Sequence, residues 1–169
     1  MMFRLYGFLL GLALLVAYED AVRRAKKYSV TLWKNINLIV PWMLVGGVVG
    51  ARTYHVVTDW NLYAGQPLWE VFAIWRGGLG IWGGIIGAVV GLLLARLTNI
   101  SLRGTTHLQW LDLFAGSLPL GQAIGRIGNA VNNELFGTPT TFPWGLNITQ
   151  NQRPLLYKDS DMFHPLFLY

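Results

Sequence analysis

One stretch of this chain gathers the side chains best able to do chemistry. It reads Gly125-Arg126-Ile127-Gly128-Asn129-Ala130-Val131-Asn132-Asn133-Glu134-Leu135-Phe136-Gly137, with an arginine, three asparagines and a glutamate ending a long apolar run. An ionisable residue inside an apolar segment is costly, so by default it is read as a functional hypothesis that needs a named partner. If helix continues through this stretch, Arg126, Asn129 and Asn133 fall at i, i+3 and i+7 on one face, flanked by Asn132 and Glu134. Arginine presents a planar fork of donors that matches phosphate or carboxylate. The amides add neutral donors and acceptors, and Glu134 could hold Arg126, bind hydroxyls or take a proton. The residue types leave two readings level: a phosphate site, or a buried Arg126–Glu134 pair with asparagine caps. Buried pairs gain little net stability after desolvation, which leans toward function.

The rest of the chain must hold this cluster in an apolar setting. Of 169 residues, 53% are hydrophobic and 12% charged, where a soluble domain carries about a quarter charged. The composition therefore predicts an integral membrane protein. There are no cysteines, which excludes disulfides, thiolate nucleophiles and Cys-based metal sites on this chain. The net charge of +5 comes from bunched basic residues. That reads as membrane topology rather than nucleic-acid binding. No metal and no cofactor is expected.

The pattern predicts an all-α integral membrane protein, a polytopic helical bundle forming a single membrane domain over residues 1–169. Transmembrane helices are expected at about 3–22, 36–57, 78–97 and 110–128, with extracytoplasmic loops at about 58–76 and 129–165. Glu19-Asp20 and then Arg23-Arg24-Ala25-Lys26-Lys27 follow the first run, with no small-residue cleavage site. The basic cluster reads as a cytoplasmic loop, so the N-terminus is extracytoplasmic. Glu19 and Asp20 read as interfacial. The second run contains Pro41 and Gly46-x-x-x-Gly50, a spacing that lets helices approach closely. Near its end, Arg52 either snorkels to the interface or binds a ligand. His55 reads as an ordinary helix-end residue. Trp60, Tyr63, Trp69, Phe72 and Trp75 then suit the headgroup belt.

In the third run, Gly83, Gly87 and Gly91 form a smooth packing face. The pairs Gly77-Gly78 and Gly83-Gly84 suggest a broken helix start where backbone could approach a ligand. Arg96, Arg103 and His107 mark a cytoplasmic loop, with His107 solvated. Asp112 reads as interfacial or capping, and Pro119 interrupts the fourth run. Residues 144–148 look like a short strand or extended loop. Asn147-Ile148-Thr149 is formally a glycosylation sequon, a spacing common by chance. Residues 151–162 are hydrophilic, and residues 164–169 turn apolar as if another membrane segment began. The chain thus reads as cut short.

Gly125-Arg126-x-Gly128-Asn129-x-x-Asn132-x-Glu134-x-x-Gly137 closely resembles the signature of the bacterial prolipoprotein diacylglyceryl transferase family. Leu5-Tyr6-Gly7, Gly50-Ala51-Arg52, Arg76-Gly77-Gly78-Leu79-Gly80-Ile81-Trp82-Gly83-Gly84-Ile85-Ile86-Gly87 and His164-Pro165-x-x-x-Tyr169 are similar to further family elements, in order. The resemblance implies a transferase of the bacterial cytoplasmic (inner) membrane. It would move a diacylglyceryl group from phosphatidylglycerol to the lipobox cysteine thiol of a preprolipoprotein signal peptide. It further implies Arg126 and Glu134 as catalytic residues. Tyr6, Arg52, Gly83, Gly84, Arg126, Asn129, Asn132 and Gly137 would be the substrate-binding residues. The nucleophile belongs to the substrate, so a chain without cysteine suffices.

Three departures accompany the resemblance. Trp82 stands where some members carry a histidine proposed as general base, and tryptophan cannot take a proton. Ala130 replaces a phenylalanine, which alters packing. The family also continues past residue 169 with further helices and another arginine. Two alternatives compete: a non-catalytic membrane lipid-binding or transport module, since glycine-broken helices and midplane charge occur in transporters, and an inactive truncated homologue. No internal repeat or matching pair of broken helices supports the transporter.

Overall fold

The computed structural model describes residues 2–99, 102 and 104–168. Four helices carry the chain: α1 (Met2–Tyr28), α2 (Val30–Thr58), α3 (Ile81–Thr98) and α4 (His107–Asn132). Two short strands, β1 (Leu146–Asn147) and β2 (Met162–Phe163), pair antiparallel, Leu146 opposite Phe163. The mostly helical expectation holds, with this small sheet added where residues 144–148 read as extended.

The helix limits differ from the expected spans for local reasons. α1 runs to Tyr28, so Arg23, Arg24, Lys26 and Lys27 lie on the helix and not in a loop. Ser29 alone separates it from α2. Its extended backbone (φ −163°, ψ 128°) breaks the helix, and its hydroxyl faces the Leu32 N–H at 3.5 Å. α2 therefore begins at Val30 and carries Pro41 in its interior. α3 begins only at Ile81, because Gly77 and Gly78 adopt φ +85° and +77°, open to glycine and hostile to other residues. α4 begins at His107 behind a reciprocal cap. The Gln109 N–H donates to Thr106 Oγ1 (3.2 Å) and the Thr106 N–H donates to Gln109 Oε1 (2.8 Å). Asp112, exposed and past the first turn, is thus not the cap.

Two of the four helices, α2 and α3, are long and apolar enough to cross a membrane. Only 22% and 28% of their most apolar windows are buried, so their apolar surface points outward. Such a surface suits lipid rather than water. α4 is interrupted by Asp112, Gln122, Arg126 and Asn129, and among the described residues α1 and α4 do not meet the same test.

The chain divides into two compact units, residues 22–113 and the remainder. In the first, α2 and α3 run antiparallel with almost no side chains between them. A Cβ on Gly50 would lie 2.8 Å from the Gly87 Cα, and one on Gly91 would lie 3.2 Å from the Met43 Cα. One on Gly46 or Gly87 would strike the other's carbonyl oxygen. The glycine face is therefore a backbone-to-backbone seam, the arrangement small residues permit where lipid supplies no hydrophobic drive.

In the second unit, α1 and α4 meet along a seam that the sequence reading passed over. A Cβ on Gly121 would sit 3.2 Å from both Ala13 O and Ala17 Cβ. Next to it, buried Ser117 donates to Asp20 Oδ2 at 2.9 Å. Asp20 is therefore a partner within a helix pair, about two turns from the helix end, and not merely interfacial. The signal was present as Ala13-x-x-x-Ala17 and Ser117-x-x-x-Gly121.

The seam distances separate tolerated from forbidden changes. Gly87→Ala is expected to cost about 1–3 kcal/mol, as overpacking does. Gly84→Ala, whose Cβ would rest 3.6 Å from Ala51 Cβ, should cost less than about 0.5 kcal/mol. Thermal unfolding of the two variants in detergent reads the difference.

Candidate functional site

The polar cluster is built by the way α4 stops. Asn132 is its last residue, and Asn133 turns left-handed at φ 54°. The Asn133 N–H then donates to Ala130 O (3.2 Å) and the Glu134 N–H to Asn129 O (2.9 Å). This pair of bonds is a Schellman closure, with asparagine where glycine is commonest. Asn133 is therefore not on the helical face expected with Arg126 and Asn129. The closure instead folds Glu134 back over the last turn. Its carboxylate accepts from Asn132 Nδ2 at 3.2 Å and faces Asn129 Nδ2 at 3.5 Å. The spacing of Asn129, Asn132 and Glu134 follows from this turn.

Arg126 lies half-buried one turn before Asn129. Among the described residues it has no polar partner, and no ion pair joins it to Glu134. The structural Arg–Glu pair is therefore absent, and the Arg126 donors stand open beside an amide–carboxylate cluster. Gly137 serves the chain itself. Its N–H donates to His164 O (2.7 Å), and a Cβ there would lie 2.9 Å from Leu166 Cγ. Among the described residues, no three acidic or histidine side chains gather as a metal site requires. Tyr6 belongs to α1, but its side chain lies outside the described residues, as do Arg103 and Tyr169.

The remaining candidates belong to the α2–α3 unit. Arg52 does not snorkel: it is 7% exposed and its guanidinium donates to backbone carbonyls. Nε donates to Val71 O (2.8 Å), Nη1 to Gly77 O (2.7 Å) and Gly78 O (3.1 Å), and Nη2 to Glu70 O (2.6 Å). Its guanidinium also lies 5.2 Å from the Tyr63 ring centroid. His55 holds Asp59 Oδ2 at 3.0 Å and meets Tyr63 edge-on. A side chain on Gly78 would collide with His55, so the left-handed glycine is fixed by close approach as well as by φ. Gly83 and Gly84, read as openings for a ligand, both face α2. Gly83 is buried against the Gly50 carbonyl, and Gly84 rests near Ala51. Trp82 is 64% exposed at the first turn of α3.

Sequence reasoning missed Arg153 and Gln152. Arg153 staples the loop after β1 through Ile148 O (2.8 Å), Lys158 O (3.0 Å) and Asp161 Oδ1 (2.8 Å). Gln152 reaches back to Asn132 and Asn133. Neither belongs to a recognisable motif, and only the fold brings them to their partners.

Arg52→Lys should loosen residues 60–79, because one ammonium cannot span four carbonyls. A loss of about 2–3 kcal/mol is expected, as for hydrogen bonds to a charged group. The emission of Trp60, Trp69 and Trp75, followed through thermal unfolding, measures it.

The family described as prolipoprotein diacylglyceryl transferase matches residues 1–169. The chain is 43% identical over 167 residues to the phosphatidylglycerol–prolipoprotein diacylglyceryl transferase of Thermotoga maritima, covering 98% of this chain and 55% of that protein. It is 42% identical over 167 residues to the protein of that name from Synechococcus elongatus, covering 98% and 55%. For the one from Gloeobacter violaceus the figures are 45% over 132 residues, 78% and 47%. The chain thus spans about half the length of the curated relatives it matches. With the match running the whole length of the chain, and the motif residues gathered at the end of α4 and the turn that closes it, this chain belongs to the prolipoprotein diacylglyceryl transferase family.

Proposed function

We propose that this chain takes part in moving the diacylglyceryl group of phosphatidylglycerol to the lipobox cysteine thiol of a preprolipoprotein, the first step of bacterial lipoprotein maturation. One observation carries the reading: Arg126 is half-buried and without a polar partner among the described residues, one turn from the Asn129–Asn132–Glu134 cluster. A cation held this way in an apolar chain is ready for an anion.

The reaction is a substitution at a glycerol carbon. The substrate's thiol gives up its proton, its sulfur bonds to that carbon, the carbon–oxygen bond to phosphate breaks, and the glycerol phosphate that departs carries the proton away. Arg126 clamps the departing phosphate through its forked donors, which stabilises the charge that develops there. Glu134, oriented by Asn132, accepts from headgroup hydroxyls, and Asn129 and Asn132 complete the binding surface. Tyr6 contacts the lipid. Arg52, Gly83, Gly84 and Gly137 shape the binding region through the segments they hold. The chain forms a single domain in the bacterial cytoplasmic membrane. It crosses four times, with an extracytoplasmic N-terminus and the motif on the outer side. Positively charged Arg23, Arg24, Lys26 and Lys27 on the inner side support that orientation.

The reading is tested by reconstituting the protein with labelled phosphatidylglycerol and a lipobox peptide. Arg126→Ala should lower transfer about a hundredfold or more, the cost of removing an electrostatic stabiliser. Arg126→Lys should retain part of the activity, keeping the charge and losing the fork. Undiminished transfer in Arg126→Ala sinks the assignment. Lipid flux without thiol modification would point to a transport module instead.

A further inference from the structure

Two non-glycine residues flanking Glu134 sit in the left-handed region: Asn133 and Leu135, both at φ 54°. Asparagine tolerates this conformation, and leucine adopts it only at a steric cost. Backbone of this kind persists only where its surroundings over-determine it, and it gathers at functional sites. The Schellman bonds hold the start of the turn, and the Gly137 N–H bond to His164 O holds its end. What holds its outer side is Gln152, which lies far along the chain in the short turn Gln150–Gln152.

Gln152 grips the end of α4 with both ends of its amide. Nε2 donates to Asn132 O (3.2 Å), a carbonyl at the helix terminus with no intrahelical partner. Oε1 accepts from Asn133 Nδ2 (3.0 Å) and from Thr149 Oγ1 (2.6 Å). Gln152 is itself fixed, since its N–H donates to Thr149 O (2.8 Å) and neighbouring Arg153 is tied to Ile148, Lys158 and Asp161. The left-handed residue and the helix cap on either side of the Asn132–Asn133 peptide are thus read by one side chain.

We propose that Gln152 is a positioning residue, locking the left-handed turn at Asn133 so that the Glu134 carboxylate stays against the Asn132 and Asn129 amides. Its effect on transfer rests on the function proposed above, in which Glu134 meets the lipid headgroup. Gln152 touches no substrate and acts only through Glu134.

The test is a double-mutant cycle in reconstituted membranes with Gln152→Ala, Glu134→Gln and the two combined. Gln152→Ala should reduce transfer about tenfold, mostly as a higher KM for phosphatidylglycerol, and should add no further loss in the Glu134→Gln background. Gln152→Glu, which keeps the acceptor and loses the donor, should fall between. In parallel, backbone amide exchange over residues 131–136 should speed up in Gln152→Ala while the melting temperature of the whole protein stays put. Additive losses, or unchanged exchange over 131–136, overturn the proposal. Wild-type transfer in Glu134→Gln overturns the functional reading instead, and the exchange rates then decide alone whether Gln152 holds the turn.

Discussion

Backbone carbonyls outside the long helices and at the end of α4 organise much of this structure. In an apolar chain, each helix end leaves polar groups that water is not at hand to satisfy. The chain answers with forked or two-headed side chains. Arg52 takes four carbonyls from the segment between α2 and α3. Arg153 takes two from the loop after β1. Gln152 takes the Asn132 carbonyl at the end of α4, and the Schellman bonds take those of Asn129 and Ala130. Four charged donors cost little to bury when their hydrogens are so well used, which is why Arg52 can sit at 7% exposure.

The same logic divides the arginines by task. Arg52 and Arg153 are spent on the fold, whereas Arg126 is left open among the described residues. Within an apolar sequence the unspent cation is the informative one, because nothing in the chain offsets its desolvation. The exposed Glu70–Arg76 pair, with Arg76 stacked over Trp69, is a further case of charge cancelled locally along the aromatic segment.

Helix packing follows a complementary rule. Where side chains vanish, backbones touch. α2 and α3 meet through Gly46, Gly50, Gly83, Gly87 and Gly91, and α1 and α4 through Ala13, Ala17, Ser117 and Gly121. The first seam was legible because a run of glycines at four-residue spacing has few other uses. The second hid among alanines, a serine and one glycine, which are also ordinary helix formers. Gly83 and Gly84 both face α2, Gly83 against the Gly50 carbonyl and Gly84 near Ala51, a packing role that their spacing also encodes.

By itself the sequence determined the helical class, the outward apolar character of α2 and α3, the family motif and the chemical types gathered in it. These depend on composition and on spacing within one or two turns, and local periodicity carries such information. Only the tertiary structure decided what each polar group faces. It took Asn133 off the helix, brought Glu134 onto Asn132 in place of Arg126, committed Arg52 to carbonyls up to 26 residues away, and set Gln152 against a turn 20 residues earlier. The reason is physical. A hydrogen bond to a backbone carbonyl has no sequence signature, because every residue supplies the same acceptor, and only folding selects which one comes within reach.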